Sequence, residues 1–183
     1  MDDLTTLSKA MSRVLRHRPD AAGVTLDKDG WCRVDQLLTG LARAGTVMTA
    51  EQLRDIVRTS DKQRFALSDD GLRIRANQGH SVRGVTLRLP SKSPPSQLFH
   101  GTVAGSLASI AKQGLLPMRR HQVHLSPDAA TATAVGARRG TPVILEIDAG
   151  SMHRAGHRFM QSDNGVWLVD AVPPQYIRTM PTK

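Results

Sequence analysis

The chain has 183 residues, of which 39% are hydrophobic and 22% charged, a composition that is ordinary for a folded protein and excludes general disorder. The formal net charge of +9 favours a polyanionic partner and a merely solubilising surface about equally, and because aromatic residues make up only 3%, contact with a nucleic acid would be mostly ionic. The single cysteine excludes an internal disulfide, and the lack of a signal peptide or of an apolar run of roughly 18 residues predicts a cytoplasmic protein without a membrane partner.

The first half of the chain combines helical periodicity with turn signals. The three predicted helices cover residues 4–17, 36–44 and 50–58. Pro19 ends the first helix, Asp35 is placed to cap the second, and Thr49 opens a capping box for the third. A short hairpin is predicted over residues 24–34, and a second one over residues 64–76 follows the helices. Three short helices and a final two-stranded ribbon have the order of a winged helix.

The second half is separated from the first by residues 89–97, a predicted linker with three prolines and three serines. The strands predicted after it are Leu98–His100, Gln122–Ser126, Pro142–Asp148, Arg158–Ser162 and Val166–Val169. Asp163-Asn164-Gly165 joins the last two strands as a hairpin, one helix is predicted over Gly105–Gln113, and Ser126 is placed to cap another. The predicted fold class is α+β, with domains at residues 1–88 and 98–183.

Three clusters of cations are candidates for phosphate binding. Arg16-His17-Arg18 ends the first helix, Lys62-Gln63-Arg64 opens a strand of the second hairpin, and Arg119-Arg120 precedes a strand of the second half. Each cluster also has an ordinary explanation: a helix end that opposes the macrodipole, a solvated strand edge, and a loop with surface arginines. Taken singly, none of them indicates a function.

Several segments, taken in order, are similar to those of one enzyme family. They are SKAMSRVLRHRP, KQRFAL, IRANQGHS, HGT, RRHQVHLS, and SDNGVWL with VPPQY. The set resembles the NAD-dependent RNA 2′-phosphotransferases from about Leu7 to Tyr176, nearly the whole chain, and IRANQGHS is its most distinctive piece.

This resemblance implies a two-lobed enzyme, with an N-terminal winged-helix lobe for RNA and a C-terminal ADP-ribosyltransferase-like mixed α/β lobe for NAD. By motif position, the catalytic residues of the family fall on Arg16, His17, Arg64 and Arg120. Substrate-binding positions fall on Lys62, Asn77, Gln78 and His80. The implied partners are an RNA that carries a 2′-phosphate and NAD, which is consumed as co-substrate. We expect a monomer that needs no metal.

The reaction implied by the resemblance has two steps. The RNA 2′-phosphate displaces nicotinamide from NAD and forms an ADP-ribosylated RNA 2′-phosphate. The 2″-hydroxyl of the transferred ribose then attacks phosphorus, which releases RNA with a 2′-hydroxyl and ADP-ribose 1″,2″-cyclic phosphate. Arginines suit this chemistry because they bind phosphate oxygens through two hydrogen bonds and stay charged, and His17 is the candidate proton donor. A phosphate at a tRNA splice junction is the substrate that the resemblance implies.

The resemblance also implies an NAD site in the second half. Its residues are His100, Gly101, Thr102, Ser126, Asn164 and Val166. Seen alone, HGT is an ordinary strand-to-helix turn and Ser126 an ordinary helix cap. No GxGxxG motif follows a predicted strand, so hydride transfer on a dinucleotide-binding fold is unsupported.

Some assignments stay open at the level of sequence. Arg18 is an alternative to Arg16, and Arg119 an alternative to Arg120, whose spacing to the following strand favours it. Gln122 stands where the family pattern has histidine. Two other functions also fit the same features: ADP-ribosylation of terminal phosphates of nucleic acids, and nucleic-acid binding by a winged-helix regulator without turnover.

Overall fold

The computed structural model describes residues 3–60 and 63–181, without the side chain of Arg139. The chain divides into two compact units, Met1–Arg88 (unit 1) and Leu89–Lys183 (unit 2), and each is described by itself. Both contain helices and small antiparallel sheets, so the protein is of the mixed α+β class. No helix in the described ranges is long and apolar enough to cross a membrane.

The described residues of unit 1 form three helices and one sheet. Its elements are α1 (Leu4–Arg16), a 3-10 turn (Pro19–Ala22), β1 (Cys32–Arg33), α2 (Val34–Arg43), α3 (Ala50–Thr59), β2 (Phe65–Leu67) and β3 (Arg73–Ala76). The strands are antiparallel in the order β1-β3-β2, with Cys32 opposite Ile74 and Phe65 opposite Ala76. The residues on the inner face of the sheet are buried together with one side of each helix.

The helices of unit 1 confirm the local signals of the sequence. On α1 the buried residues are Leu7, Met11, Val14 and Leu15, which repeat at the spacing of one helix face. The capping box of α3 is formed, because the Thr49 hydroxyl accepts from the backbone of Gln52 while the Gln52 side chain accepts from the backbone of Thr49.

Two predictions for unit 1 are wrong. The turn before β1 forms, since the backbone N–H of Gly30 donates to Asp27 O, but residues 24–26 are not a strand, and β1 pairs with β3. Asp35 does not cap α2, which begins one residue earlier, at Val34. Its carboxylate binds the Arg33 side chain instead, with Nη2 2.6 Å from Oδ2.

In unit 2, residues 89–181 form two three-stranded sheets and three helices. Its elements are β4 (Leu98–Val103), α4 (Leu107–Gln113), β5 (Val123–Leu125), α5 (Ala129–Gly136), β6 (Pro142–Ile147), α6 (Ala149–Arg154), β7 (Met160–Gln161), β8 (Trp167–Val169) and β9 (Ile177–Thr179), with 3-10 turns at Ala104–Ser106, Ala137–Arg139 and Pro174–Tyr176. The sheet orders are β4-β6-β9 and β5-β8-β7. Phe99 and Ser126 exchange two backbone hydrogen bonds, of 2.9 and 2.7 Å, and so connect the sheets.

Several boundaries of unit 2 differ from the predictions. β4 continues to Val103, and neither α6 nor β9 was predicted, because each is short and β9 has the unremarkable sequence Ile177-Arg178-Thr179. Ser126 does not cap α5, since its backbone is used in the bridge to Phe99. The cap is Asp128, whose Oδ1 accepts from the backbone N–H of Thr131 at 2.7 Å. Within the segment predicted as a linker, Lys92 donates its backbone N–H to Phe159 O.

Candidate active site

In unit 1, one serine holds the end of α1. Arg16 is the last residue of this helix and His17 is its C-cap. The backbone N–H of Ser81 donates to Arg16 O at 2.8 Å, and its hydroxyl donates to the same carbonyl at 3.5 Å. Ser81 Oγ also lies 2.9 Å from His17 Nδ1. A hydroxyl that donates to the carbonyl accepts from Nδ1–H, which places the proton of the neutral ring on Nδ1. Ser81 was missed in the sequence, although it closes the segment IRANQGHS.

Asn77 holds the chain just before β2. Its Nδ2 donates to Gln63 O at 2.6 Å, and its backbone N–H donates to Arg64 O at 3.0 Å. The guanidinium of Arg16 donates to the same carbonyl of Arg64 at 3.4 Å. Gln63 has a φ of 37°, in the left-handed region, which a residue with a side chain adopts only where neighbouring contacts hold it. Asn77 therefore supports a strained turn immediately before Arg64.

Four of the predicted residues of unit 1 are thus connected through the backbone carbonyls of Arg16 and Arg64. Arg16, Arg64 and Asn77 share hydrogen bonds, and Ser81 adds His17 to them. The Asn77 side chain is only 5% exposed, and among the described residues no donor reaches its Oδ1. Lys62, also predicted, lies outside the described residues.

The other two predicted substrate-binding residues lie in the same motif. Gln78 is half-buried, and His80 is 3% exposed. The His80 ring packs against Gly30, where an added Cβ would lie 3.0 Å from Nε2. Gly30 has a φ of 80°, so the turn before β1 passes close to the ring only because this residue lacks a side chain.

In unit 2 the predicted NAD-site residues lie on β4 or directly beside the ends of β5 and β8. His100 is on β4, and its Nδ1 lies 3.0 Å from His124 O of β5, which fixes the orientation of its ring. Ser126 follows β5 and is bridged to Phe99, the neighbour of His100. Because Leu125 pairs with Trp167, continuing the antiparallel register places Val166 opposite Ser126. The strands bring His100, Ser126 and Val166 to one end of the second sheet.

Gly101 has a packing role of its own. An added Cβ would lie 2.0 Å from Ala132 O and 2.9 Å from Gly136 N, both in α5. The absence of a side chain therefore allows α5 to lie directly on β4. Thr102, the next residue, is 7% exposed. These contacts explain the glycine of HGT without a ligand.

Asn164 is part of the predicted hairpin between β7 and β8. The Ser162 hydroxyl donates to Asn164 Oδ1 at 2.7 Å, the backbone N–H of Gly165 donates to Ser162 O at 2.8 Å, and Gly165 has a φ of 79°. These bonds confirm the predicted turn. They also set the position of Val166, whose carbonyl accepts from the backbone N–H of Ser162 at 3.0 Å.

Arg120 lies in a turn before β5, where its backbone N–H donates to Pro117 O at 3.0 Å. Arg119 and Arg120 are both exposed, and Met118 in this turn has a φ of 56°. Gln122 donates through Nε2 to Asp170 Oδ1 at 3.3 Å. Its side chain therefore contacts the end of β8.

Two other kinds of chemistry lack support in the described ranges. Burial raises the pKa of the Cys32 thiol to about 12, and the Asp27 carboxylate adds to this, so the thiol is neutral and unreactive near pH 7. No group of three or more His, Cys, Asp or Glu side chains in the described part of the chain has the arrangement of a metal site.

Comparison with known families gives the group of arginines and histidine a context. The family model described as RNA 2′-phosphotransferase, Tpt1 / KptA family, matches residues 2–171, which include every predicted site residue. The chain belongs to this RNA 2′-phosphotransferase family. The match spans unit 1 and most of unit 2, so the site residues of both units lie in the region common to the family.

Individual relatives are similar over almost their full length. A probable RNA 2′-phosphotransferase of Burkholderia pseudomallei is 58% identical over 174 residues, which cover 95% of this chain and 94% of the relative. Proteins with the same description from Rhodopirellula baltica and Pseudomonas aeruginosa are 53% and 51% identical, and the matches cover 98% and 96% of this chain and 97% and 96% of the relatives. Membership of the RNA 2′-phosphotransferase family therefore rests on the whole chain and not on a single motif.

Proposed function

We propose that this protein transfers the 2′-phosphate of an RNA to NAD, with release of nicotinamide, RNA with a free 2′-hydroxyl, and ADP-ribose 1″,2″-cyclic phosphate. The observation that carries the proposal is the connected group of Arg16, His17 and Arg64, which Asn77 and Ser81 hold by hydrogen bonds. These hydrogen bonds bring together the chain segments that carry two arginines and a histidine, and such side chains suit a phosphoryl group that first acts as a nucleophile and then as an electrophile. Family membership supports the same reaction class.

The arginines have the same task in both steps. A phosphate is already anionic at neutral pH, so as a nucleophile it requires positioning more than a base. When the 2″-hydroxyl attacks phosphorus, charge grows on the equatorial oxygens, and fixed cations stabilise that arrangement. We assign this task to Arg16 and Arg64 of unit 1 and, because of its motif position, to Arg120 of unit 2.

His17 is proposed as the proton donor of the second step. The bond from phosphorus to the RNA 2′-oxygen breaks in this step, and the departing oxygen needs a proton to leave as a hydroxyl. Ser81 fixes the ring through Nδ1, so Nε2 is the atom that delivers this proton. A general acid of this kind contributes about 10²- to 10⁴-fold to the rate.

NAD is proposed to bind unit 2 at His100, Ser126, Asn164 and Val166. The adjacent strands and the fixed ring of His100 support this assignment, because neighbouring polar groups with restricted side chains are suited to ribose hydroxyls and a pyrophosphate. We further propose that unit 2 is an ADP-ribosyltransferase-like lobe and unit 1 a winged-helix lobe for the RNA. The order of three helices and a small sheet in unit 1 supports the latter.

The proposed function is tested by incubating the protein with NAD and an oligonucleotide that carries an internal 2′-phosphate. We expect equimolar nicotinamide, dephosphorylated RNA and cyclic phosphate. A stable ADP-ribosylated RNA without cyclic phosphate would indicate ADP-ribosylation of nucleic-acid ends, and binding without turnover would indicate a regulator. Either result would contradict the proposal.

Variants then test the assigned roles. Arg64→Ala and Arg120→Ala should abolish product formation, and His17→Ala should slow release of the cyclic phosphate by about 10²-fold or more, because the proton donor is lost. Arg43→Ala and Arg154→Ala are matched controls on exposed positions of units 1 and 2, and they should retain wild-type rates. A His17→Ala enzyme that releases cyclic phosphate at the wild-type rate would show that His17 is not the donor.

A further inference from the structure

The outer face of the sheet in unit 1 carries cations that the proposed reaction does not use. On β3 the inward residues Ile74 and Ala76 are fully buried, whereas Arg73 is exposed and Arg75 is half-buried. Residues that alternate along a strand share a face, so both arginines point away from the core. On β1, Arg33 stands directly opposite Arg73 in the antiparallel register and is also exposed.

Trp31 organises this face. The guanidinium carbons of Arg73 and Arg75 lie 5.7 and 4.7 Å from the centre of its ring, a cation–π arrangement with two arginines on one indole. The Trp31 ring therefore orients the guanidinium groups of both arginines. We refer to Trp31, Arg33, Arg73 and Arg75 as the arginine face.

The charge on the arginine face is only partly balanced. Like charges directly opposite each other on neighbouring strands are unfavourable, and this applies to Arg33 and Arg73. The carboxylate of Asp35 binds Arg33. Hydrogen bonds from the Ser68 side chain and the Leu72 backbone lower the pKa of Asp70, and the charge of Arg73 adds a smaller effect in the same direction. Both pairs are exposed to solvent, where screening makes such interactions weak. A polyanion laid over the face would relieve the repulsion.

The arginine face leads toward the proposed reaction site. Arg73 begins β3, and Asn77, which bonds to the carbonyl of Arg64, follows its end. Asn77 is four residues after Arg73, which corresponds to about 13 Å along an extended strand. The paired residues Arg33 and Arg73 therefore lie about 13 Å from Asn77 and from the backbone of Arg64, to which Asn77 bonds. Three strands at a spacing of about 4.8 Å give a face roughly 10 Å wide, which is enough for one phosphodiester strand. Domains that bind double-stranded RNA contact two successive minor grooves, and this face is too narrow for that.

We propose that the arginine face binds the phosphodiester backbone of single-stranded RNA that flanks the nucleotide with the 2′-phosphate. Arg33 and Arg73 each contact a backbone phosphate, and Trp31 holds the guanidinium of Arg73 in the orientation required for two hydrogen bonds. This proposal rests on the proposed function for the identity of the reacting nucleotide. The binding surface itself is defined by the sheet.

The test compares two substrates that contain the same 2′-phosphorylated nucleotide, a dinucleotide and a 12-nucleotide single strand. The variant combines Arg33→Gln with Arg73→Gln, and Arg43→Gln is the matched control on the exposed end of α2. We expect kcat/KM for the 12-mer to fall roughly tenfold in the double variant and to remain unchanged for the dinucleotide, because about two phosphate contacts are lost. Arg43→Gln should leave both values unchanged.

Binding measurements separate this proposal from the proposed reaction. With a 12-mer that lacks the 2′-phosphate, the slope of log K against log salt should become smaller by about 1.4 in the double variant, since each contact with a single strand contributes about 0.7. If the wild-type protein binds this RNA with the expected slope but turns over neither substrate, the reaction is refuted and the arginine face is supported.

Three outcomes would overturn the arginine face as a binding surface for flanking RNA. The first is an unchanged kcat/KM and salt slope for the 12-mer. The second is an equal loss with the dinucleotide and the 12-mer, which would indicate a disturbed reaction site. The third is a duplex of the same sequence that binds more tightly than the single strand and loses as much affinity in the double variant.

Discussion

At the scale of single residues, the most informative side chains are those that hold others in place. Asn77 and Ser81 make hydrogen bonds to the backbone at Gln63, Arg64 and Arg16, so they fix where the proposed phosphate ligands begin. The segment IRANQGHS stands out in the sequence, and the structure gives a physical reason: part of it forms β3, and the residues that follow support the group of cations. The tight turn at Gln63 depends on this support.

Replacing Asn77 by Ala tests whether this residue positions Arg64 for the reaction in addition to stabilising the fold. The carbonyl of Gln63 loses its donor, so we expect the free energy of unfolding in urea to fall by about 1–3 kcal/mol. Arg64 is then less well held, so kcat should fall at least tenfold under conditions where the variant is fully folded, while the KM for NAD is unchanged.

The control for Asn77→Ala is Asn77→Asp, which keeps the size of the side chain but cannot donate from its ionised carboxylate, and it should lose activity to a similar extent. A folded Asn77→Ala enzyme with the wild-type kcat would show that Asn77 has only a structural role.

At the scale of elements, close packing of α5 on β4 shapes the predicted NAD site. The helix approaches the strand at Gly101, the middle residue of HGT, and is capped by Asp128, two residues after Ser126. The packing of α5 on β4 thus links the strand that carries His100 to the loop that carries Ser126. Substitutions of Gly101 and Asp128 test this packing and leave the residues proposed to bind NAD unchanged.

Gly101→Ala should destabilise the protein strongly. The new methyl group would lie 2.0 Å from Ala132 O, a backbone atom, so α5 must shift away from β4. We expect a loss of about 1–3 kcal/mol or more in the free energy of unfolding by urea. Gly105→Ala is the matched control, because nothing lies within 4 Å of its added Cβ, and its change should be small. Equal effects of the two substitutions would contradict the close approach.

The cap of α5 should make stability depend on pH. Hydrogen bonds from the backbone and the side chain of Thr131 lower the pKa of Asp128 below its usual 3.8. Because the folded pKa is depressed, the stabilisation is present above the unfolded pKa and is lost as the pH falls through the folded value.

At pH 7, Asp128→Ala should therefore lower the free energy of unfolding by about 0.5–1 kcal/mol, and Asp128→Asn, which preserves the cap, by less. Urea unfolding at pH 7 and near pH 3 measures the difference, which should shrink at the lower pH. An undiminished difference at low pH would mean that the carboxylate charge does not contribute.

At the scale of the whole molecule, each unit has its own hydrophobic core. One cluster of buried residues lies entirely in unit 1 and the other entirely in unit 2. The two proposed tasks, contact with RNA and binding of NAD, are assigned to different units. Basic residues exceed acidic ones in the chain as a whole, which suits a polyanionic substrate.

The separate cores predict that a fragment of residues 1–88 folds on its own. We expect a cooperative thermal transition by circular dichroism and a helical spectrum, although a chain of this length is only marginally stable. Leu53→Ala, which truncates a fully buried side chain of this core, should lower the stability of the fragment by about 2–5 kcal/mol. A fragment without a cooperative transition would show that unit 1 depends on the rest of the chain.

Features that arise from neighbouring residues could be predicted from the amino-acid sequence. The apolar spacing of α1, the capping box at Thr49 and the turn at Asn164-Gly165 were all predicted from short segments, because they depend on contacts a few residues apart. The ordered motifs likewise identified the family without coordinates.

Which distant segments meet became known from the folded chain. It paired β1 with β3 and not with residues 24–26, and it showed that Gly101 faces Ala132. It also placed the Asn77 amide on the carbonyl of Gln63. Strand partners, close backbone approaches and side-chain donors depend on the packing of segments far apart in the chain, and no local pattern of residues encodes such contacts.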